Sequence, residues 1–126
     1  MNSFKIFILD DDVFSIAFAK QALLNLGYTN VHSFINPDDL ITSLETETPD
    51  IIFLDYQMEP NNGLDIMYSI QNRYPPIKVI FLSGQDQVQI GIDAIRFGAF
   101  DYIVKGAGAF DRMDKALKRI EENSAA

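Results

Sequence analysis

The segment Ile51-Ile52-Phe53-Leu54, followed directly by Asp55, decides the fold. Four consecutive apolar residues, rich in β-branched and aromatic side chains, are typical of a strand that is covered on both faces. A second run of the same kind, Val79-Ile80-Phe81-Leu82, is followed by Ser83-Gly84. Strands buried on both faces indicate a parallel sheet with helices packed on each side.

Short strand-like runs alternate with longer helical patterns along the whole chain. The predicted strands are Lys5–Leu9, Thr29–Phe34, Ile51–Leu54, Ile77–Leu82 and Phe100–Val104. The predicted helices are Val13–Leu26, a helix from Asn36-Pro37 to Pro49, Gly63–Arg73, Gln87–Phe97 and Ala107–Glu122, with a frayed end at Ser124–Ala126. This alternation predicts an open α/β sheet with helices on both faces.

Composition narrows the class of protein. The chain has 126 residues, which fits one domain, 1–126. The absence of cysteine excludes disulfides and thiolate metal sites. A formal net charge of −8 disfavours direct binding of nucleic acid. There is neither a secretory signal pattern nor an apolar run near the roughly 18 residues that cross a bilayer, so we expect a cytoplasmic protein without membrane insertion.

Polar side chains follow four of the predicted strands at the same edge of the sheet. Asp10-Asp11-Asp12 follows the first strand, Asp55 the third, Ser83-Gly84 the fourth and Lys105 the fifth. Ligands of open parallel sheets bind beyond the carboxyl ends of the strands. The same residues also have simpler interpretations, since the three aspartates could cap the first helix and Ser83-Gly84 could be an ordinary turn.

The chemistry of such a cluster favours a divalent cation. Asp10, Asp11 and Asp55 would repel one another and raise their own pKa values if they lay close together. A hard cation relieves this repulsion, and oxygen ligands without Cys or His favour Mg²⁺. One carboxylate oxygen then remains as a nucleophile, while the Lys105 ammonium and the Ser83 hydroxyl could hold an incoming phosphoryl group.

These residues stand in motifs that resemble the response-regulator receiver family of two-component signalling. The resemblance runs from Lys5 to about Ile120 and rests on five motifs: Phe7–Asp12, Pro49–Asp55, Asn62-Gly63-Leu64, Val79–Gly84 and Gly98–Lys105. It implies a flavodoxin-like, doubly wound parallel sheet with the strand order 2-1-3-4-5. It also implies a signalling receiver that catalyses only its own phosphorylation and dephosphorylation.

The resemblance implies a role for each residue of the cluster. Asp55 would be the phosphoacceptor. Mg²⁺ would be held by Asp10, Asp11, Asp55 and the main-chain carbonyl of Gln57. Ser83 and Lys105 would bind the phosphoryl oxygens.

The resemblance also assigns a switch and a pair of tuning positions. Tyr102 matches an aromatic switch that moves inward as Ser83 is drawn to the phosphoryl group, although a half-buried strand residue is the simpler interpretation. Gln57 and Gln85 stand at positions that tune the lifetime of the phosphoaspartate.

Two positions depart from the family pattern. The family usually has proline directly after the lysine, where this chain has Gly106. Either Lys105 is aimed differently, or the conformational freedom of glycine compensates. The family also usually has proline four residues after the phosphoacceptor, where this chain has Glu59 followed by Pro60, so that loop would be reshaped.

The implied partners are a histidine kinase or a histidine phosphotransfer protein, and a downstream target. Phe14 and Phe18 lie one turn apart on the first helix and either pack inward or form an apolar docking patch. The target would bind the face formed by the fourth helix, the fifth strand and the fifth helix, at Gln87–Arg96, Tyr102 and Asp111–Arg119.

Three other interpretations are weaker. A haloacid-dehalogenase-type phosphatase would use Asp10 as nucleophile and Asp12 as acid, but Gly106–Phe110 lacks the acidic motif that this family needs, and Asp55 is left unexplained. A dinucleotide-binding interpretation of Gly106–Asp111 lacks the third glycine and falls on the last strand. A receiver-like module that binds partners without phosphorylation remains the third alternative.

Overall fold

The computed structural model describes residues 3–58 and 62–125. Five strands alternate with five helices: β1 (Ile6–Leu9), α1 (Val13–Asn25), β2 (Val31–Phe34), α2 (Pro37–Leu44), β3 (Ile51–Leu54), α3 (Gly63–Arg73), β4 (Lys78–Ser83), α4 (Val88–Arg96), β5 (Asp101–Val104) and α5 (Ala109–Ala125).

The strands form one parallel sheet in the order β2-β1-β3-β4-β5. This confirms the fold class and the strand order expected from the sequence. The first strand lies between β2 and β3, and Leu9 at its end is level with Phe34 on one side and Leu54 on the other. The carboxyl ends of the three strands therefore meet at one level, which places the residues that follow them side by side.

Alternate residues of each strand point to opposite faces of the sheet, and each face carries its own apolar core. One core joins Ile6, Ile8, Ile51 and Phe53 to helices α1 and α5 through residues such as Leu23 and Leu117. The other joins Phe7, Leu9, Ile52 and Leu54 to helices α2, α3 and α4 through residues such as Leu40, Met67 and Ala94. The unbroken apolar runs in the sequence follow from this two-sided burial.

Side-chain caps fix where three helices begin. Asp12, Asn36 and Asn62 each stand at the N-cap and accept a backbone N–H of the first turn. Such a bond satisfies one of the amide groups that have no partner within the helix. Proline at the first position of α2 has no N–H that needs such a partner.

Some predicted boundaries were wrong. Helix α2 ends at Leu44 rather than at Pro49, because the amides of Glu45, Thr46 and Glu47 turn back onto Thr42 and Ser43. Helix α5 runs from Ala109 to Ala125, so it begins later than predicted and continues into the segment expected to fray. Strand β2 begins at Val31, and Ser83 is the last residue of β4 rather than the residue after it. No helix in 3–58 or 62–125 combines the length and apolar character that a membrane span requires.

Candidate functional site: an acidic cluster at the carboxyl edge of the sheet

Backbone hydrogen bonds carry the sheet ladder into the candidate site. The Asp10 amide donates to the Phe34 carbonyl at 3.1 Å, and the Asp55 amide donates to the Leu9 carbonyl at 3.0 Å. The Lys105 amide donates to the Ser83 carbonyl at 2.8 Å. The backbones of these residues are therefore held as firmly as strand residues, which fixes the points from which their side chains project.

Three carboxylates come together at this edge. One carboxylate oxygen from each of Asp10, Asp11 and Asp55 lies within 4.8 Å of the other two. Asp10 and Asp55 are buried, with Asp55 only 8% exposed, while Asp11 faces solvent. The structure thus brings together the three acidic residues that the sequence predicted to be neighbours.

Lys105 points into the cluster. Its Nζ lies 2.8 Å from Asp10 Oδ2 and 3.8 Å from Asp55 Oδ2. The residue after it, Gly106, has φ = +119°, which proline cannot adopt because its ring holds φ near −65°. The sequence left two possibilities for Gly106: a differently aimed Lys105, or compensation by the conformational freedom of glycine. The structure agrees with the second, because Gly106 adopts a positive φ and the Lys105 ammonium reaches the carboxylates.

The pKa of Asp55 is raised above its ordinary value. Burial is the largest cause, because it disfavours the charged form, and the negative charge of Asp10 acts in the same direction. The positive charge of Lys105, a hydrogen bond from Ser83 and the Gln57 amide oppose the rise without cancelling it. The negative charges at this edge of the sheet are therefore only partly balanced by Lys105.

Asp12, the third aspartate of the acidic motif, has a structural role at the start of α1. Asp12 caps α1, with Oδ1 accepting the Phe14 amide at 3.0 Å and Oδ2 accepting the Ser15 hydroxyl at 3.1 Å. Asp10 Oδ1 in turn accepts the Asp12 amide at 2.9 Å. The capping interpretation is thus right for Asp12, whereas Asp10 and Asp11 belong to the acidic cluster.

The donor set of the cluster suits a hard cation. It consists of carboxylate oxygens, which match the preference of Mg²⁺ for oxygen ligands. The excess of three carboxylates over one ammonium supplies the electrostatic attraction. Gln57 lies beside this group, with its main-chain amide nitrogen 3.4 Å from Asp55 Oδ1.

Ser83 and Tyr102 lie on the neighbouring strands. Ser83 is fully buried at the end of β4. The Tyr102 ring lies 5.8 Å from the Phe81 ring, and its hydroxyl donates to the Gln85 carbonyl at 2.7 Å. Burial raises the pKa of Tyr102 above its ordinary value. Tyr102 is half-buried, as the simpler interpretation expected, and it also contacts the loop that follows Ser83.

Sequence reasoning missed one contact in this region. The side-chain amide of Gln85 donates to the side-chain carbonyl of Gln57, which joins the loops that follow β4 and β3. No periodic pattern connects residues 28 positions apart. The resemblance had singled out both glutamines, each two residues beyond a proposed site residue, but it did not predict that they contact each other.

Two predicted surfaces are also placed by the structure. Phe14 is 82% exposed and Phe18 is 42% exposed, so neither is packed in the core. They share a surface depression with Ser15, Lys105 and Gly106 at the edge of the acidic cluster. Glu59 and Pro60, which were expected to reshape the loop after Asp55, lie outside the described residues.

With this geometry established, comparison with known proteins identifies the family. The family model of the response regulator receiver domain matches residues 6–118, which is most of the chain. The chain belongs to this family. The receiver fold accounts for the strand order, and the phosphatase and dinucleotide-binding interpretations are set aside.

Individual relatives support the same assignment for this receiver. Chemotaxis protein CheY of Listeria monocytogenes is 32% identical over 115 residues, which cover 91% of this chain and 96% of that protein. The DNA-binding transcriptional regulator NtrC of Salmonella typhimurium is 29% identical over 116 residues, and these cover 92% of this chain but 24% of NtrC. This receiver thus spans about a quarter of the length of the NtrC regulators that it matches.

A solved structure shows the same fold. The CheY-like response regulator receiver domain protein of Methanospirillum hungatei superposes with a TM-score of 0.83 at 22% identity, covering 98% of both chains. At that identity the likeness concerns the fold of this receiver and not its partners.

Proposed function

We propose that this signalling receiver accepts a phosphoryl group on Asp55 from a histidine kinase or a histidine phosphotransfer protein, and that the modification changes what the domain binds. The observation that carries the proposal is the buried Asp55 carboxylate, which lies 3.8 Å from the Lys105 ammonium and within 4.8 Å of carboxylate oxygens of Asp10 and Asp11. A buried acid with a raised pKa beside an acidic pair and a cation is arranged for chemistry rather than for stability.

Transfer would proceed by in-line displacement at phosphorus. An oxygen of Asp55 forms the new O–P bond while the P–N bond of the phosphohistidine breaks, and the electron pair stays with the imidazole nitrogen. Lys105 and Ser83 hold the oxygens of the phosphoryl group, as point charge and hydrogen-bond donor. Catalysis of this kind consists mainly of positioning and charge stabilisation.

The residues that would hold Mg²⁺ are Asp10, Asp11, Asp55 and the main-chain carbonyl of Gln57. Bound there, the ion would neutralise the carboxylates and the negative charge of the phosphoryl oxygens. The positive charge of the ion would also oppose the rise in the pKa of Asp55 that burial causes.

The switch would pass through Ser83 and Tyr102. A phosphoryl group on Asp55 would draw the buried Ser83 hydroxyl toward it, and space near Ser83 would open for the Tyr102 ring. Tyr102 would then give up its present bond to the Gln85 carbonyl. The result is a population shift between two arrangements, biased by the charge added at Asp55.

The exposed aromatic residues of α1 support a role for this helix as the surface on which the phosphodonor docks. Phe14 and Phe18 border the depression that leads to Lys105, so a partner seated on them would lie beside the site. A second surface lies along α4 and β5, where Val88, Ile92 and Ile95 are exposed around a groove that also contains Tyr102. This is the surface on which a downstream target would sense the position of Tyr102.

Intact mass after incubation with acetyl phosphate tests the proposal directly. We expect one base-labile phosphoryl adduct that requires Mg²⁺ and is absent from Asp55→Asn. An adduct that survives Asp55→Asn would show that another residue is the nucleophile. Absence of any adduct with acetyl phosphate, phosphoramidate and a phosphorylated histidine phosphotransfer protein would favour a module that binds partners without phosphorylation.

A further inference from the structure

Helix α1 is apolar on its outer side as well as on the side that packs against the sheet. The buried side consists of small and aliphatic residues: Ile16, Ala19, Ala22 and Leu23. The outer side exposes four large apolar side chains and one alanine: Val13, Phe14, Ala17, Phe18 and Leu24. Apolar residues all around the axis are typical of a helix that is covered on every side. The outer side of α1 is therefore suited to contact with another protein.

The distribution of charge makes α1 the helix on which two copies of this chain can meet. The net charge of −8 makes two copies repel each other. Among the helices of residues 3–58 and 62–125, α1 alone contains no Asp or Glu, and its one charged residue is Lys20. Two copies that touch through α1 thus keep the carboxylates of their helices apart. A strongly charged partner of another kind finds almost nothing on α1 to attract it.

The outer side of α1 is also complementary to itself. Successive residues of an α-helix are turned by about 100°, which places Ala17 near the middle of this side. When two α1 helices cross antiparallel at Ala17 about a two-fold axis, Phe14 of one copy comes beside Phe18 of the other, and Val13 comes beside Leu24. The small side chain of Ala17 lets the two helices approach closely.

The exposed area suits a weak and reversible contact. From their exposed fractions, Phe14 and Phe18 alone offer on the order of 250 Å² of aromatic surface. Val13 and Leu24 extend the apolar area, and the stem of Lys20 borders it. The helix offers less than the roughly 800 Å² that each partner of a standard interface buries, so two copies would exchange readily.

We propose that the outer side of α1 is the surface through which this receiver associates with a second copy of itself, as an antiparallel helix pair centred on Ala17. Apolar contacts hold the pair, and the net charge of the two copies opposes it. A second copy and a phosphodonor then compete for α1. That competition rests on the proposed function, whereas the self-association does not.

Sedimentation equilibrium measures the self-association in the absence of any phosphodonor. We expect the native chain to dimerise with a Kd on the order of 1 to 100 µM. Ala17→Glu should raise the Kd by about tenfold or more, because the two-fold axis sets the new carboxylates against each other. Phe14→Ala, which adds no charge, should also raise the Kd by several-fold. Ile92→Glu is the matched control, since it puts the same charge on an exposed apolar residue of α4 and should keep the Kd within about threefold.

The response to salt separates an apolar interface from an ionic one. Raising the ionic strength from about 0.05 to about 0.5 M should strengthen the association, because it screens the repulsion between two copies of charge −8. An interface made of ion pairs would weaken instead. Urea denaturation of each variant shows whether it is folded, and the exposed position of Ala17 on a helix makes the loss of folding in Ala17→Glu unexpected.

The absence of cysteine allows a direct test of the geometry. Ala17→Cys should form a disulfide between two copies under mild oxidation, because the crossing brings the two positions face to face. Lys118→Cys, at an exposed position of α5, is the control and should remain largely monomeric.

Three results would overturn the proposal. One is a native chain that stays monomeric at about 1 mM. Another is a dimer that Ile92→Glu dissociates and Ala17→Glu does not, because the interface would then lie on α4. The third is equal cross-linking of Ala17→Cys and Lys118→Cys. None of these measurements involves phosphorylation, so failure of the self-association and failure of the proposed function are recognised separately.

Discussion

Neutralising Asp55 should stabilise the metal-free protein. Asp55→Asn removes a buried negative charge and keeps the size of the side chain. Lys105 at 3.8 Å attracts the Asp55 carboxylate by about 4 kcal/mol at an effective dielectric constant near 20. Asp10, no farther than 4.8 Å, repels it by at least about 3.5 kcal/mol on the same scale.

These two terms nearly cancel, so the cost of burying the charge decides the sign. That cost is several kcal/mol for a fully buried ion, and it is reduced here because the site edge touches solvent. Asp11 adds further repulsion that solvent screens. We therefore expect Asp55→Asn to raise the free energy of unfolding by about 1 to 3 kcal/mol in EDTA at neutral pH.

Urea denaturation measures this difference as a midpoint shift of about 1 M. The matched control is Asp50→Asn, which makes the same change of net charge at the opposite end of β3. Asp50 is exposed and accepts the Lys5 amide at 2.8 Å, a bond that asparagine can also accept, so its stability should change by less than about 0.5 kcal/mol.

The pH dependence gives an independent check of the sign. The pKa of Asp55 in the folded protein is raised, so the stability that its protonated form supplies is complete below the unfolded pKa and is lost as pH rises through the folded pKa. The advantage of Asp55→Asn should therefore vanish in acid, at a pH below the unfolded pKa, and reach its full size above the folded pKa.

Saturating Mg²⁺ should remove most or all of the stability advantage of Asp55→Asn over the native protein. An ion at 100 times its dissociation constant stabilises the folded state by about 2.7 kcal/mol, and the variant lacks one of the carboxylates proposed to bind it.

If Asp55→Asn were no more stable than the native chain in EDTA, the claim that uncompensated charge accumulates at this edge would be refuted.

Three further variants test local features of the fold by chemical denaturation. Gly63→Ala should lower the free energy of unfolding by about 2 kcal/mol or more, because a Cβ there would lie 2.6 Å from a ring carbon of Phe81. Its control is Gly84→Ala, where a Cβ would have no atom within 4 Å, and the free energy of unfolding should change by under about 0.5 kcal/mol. Gly106→Ala should lower the free energy of unfolding by about 1 to 3 kcal/mol, because alanine is strained at a φ of +119° although a Cβ there would contact nothing. A loss as small as that of Gly84→Ala would contradict this reason. Asn62→Ala should cost about 1 kcal/mol by removing the N-cap of α3, whereas Asn62→Asp, which can still cap, should restore most of it.

The sheet could be predicted from the sequence because its central strands, β1, β3 and β4, are buried on both faces. Ile51–Leu54 was predicted to the residue because an unbroken apolar run leaves little choice, and Gly63–Arg73 was predicted to the residue because the Pro75-Pro76 pair that follows cannot continue a helix. The end of α2 was not, because Glu45 to Thr48 contains no glycine or proline and the helix stops through local turns. Boundaries of that kind depend on tertiary context.

The site could be predicted in part for the same reason. Asp10, Asp55 and Lys105 directly follow strands, so the strand order alone brings them to one edge. The sequence left open whether the three aspartates cap α1 or belong to the acidic cluster. Only the backbone geometry at the start of α1 showed that Asp12 is the cap. The bond between Gln57 and Gln85 depends on the path of two loops, which no pattern in the sequence encodes.

The parallel register has a consequence for the order in which the molecule is made. Asp10 and Asp55 become neighbours once β1 and β3 pair, but the cation that balances them lies about 50 residues further along the chain. A ribosome needs roughly 3 to 10 s to add that length. During this interval the nascent sheet has a repulsive edge, and β5 relieves it by delivering Lys105 as it docks on β4. The last strand to be synthesised therefore both completes the sheet and brings the ammonium group that offsets its acidic edge.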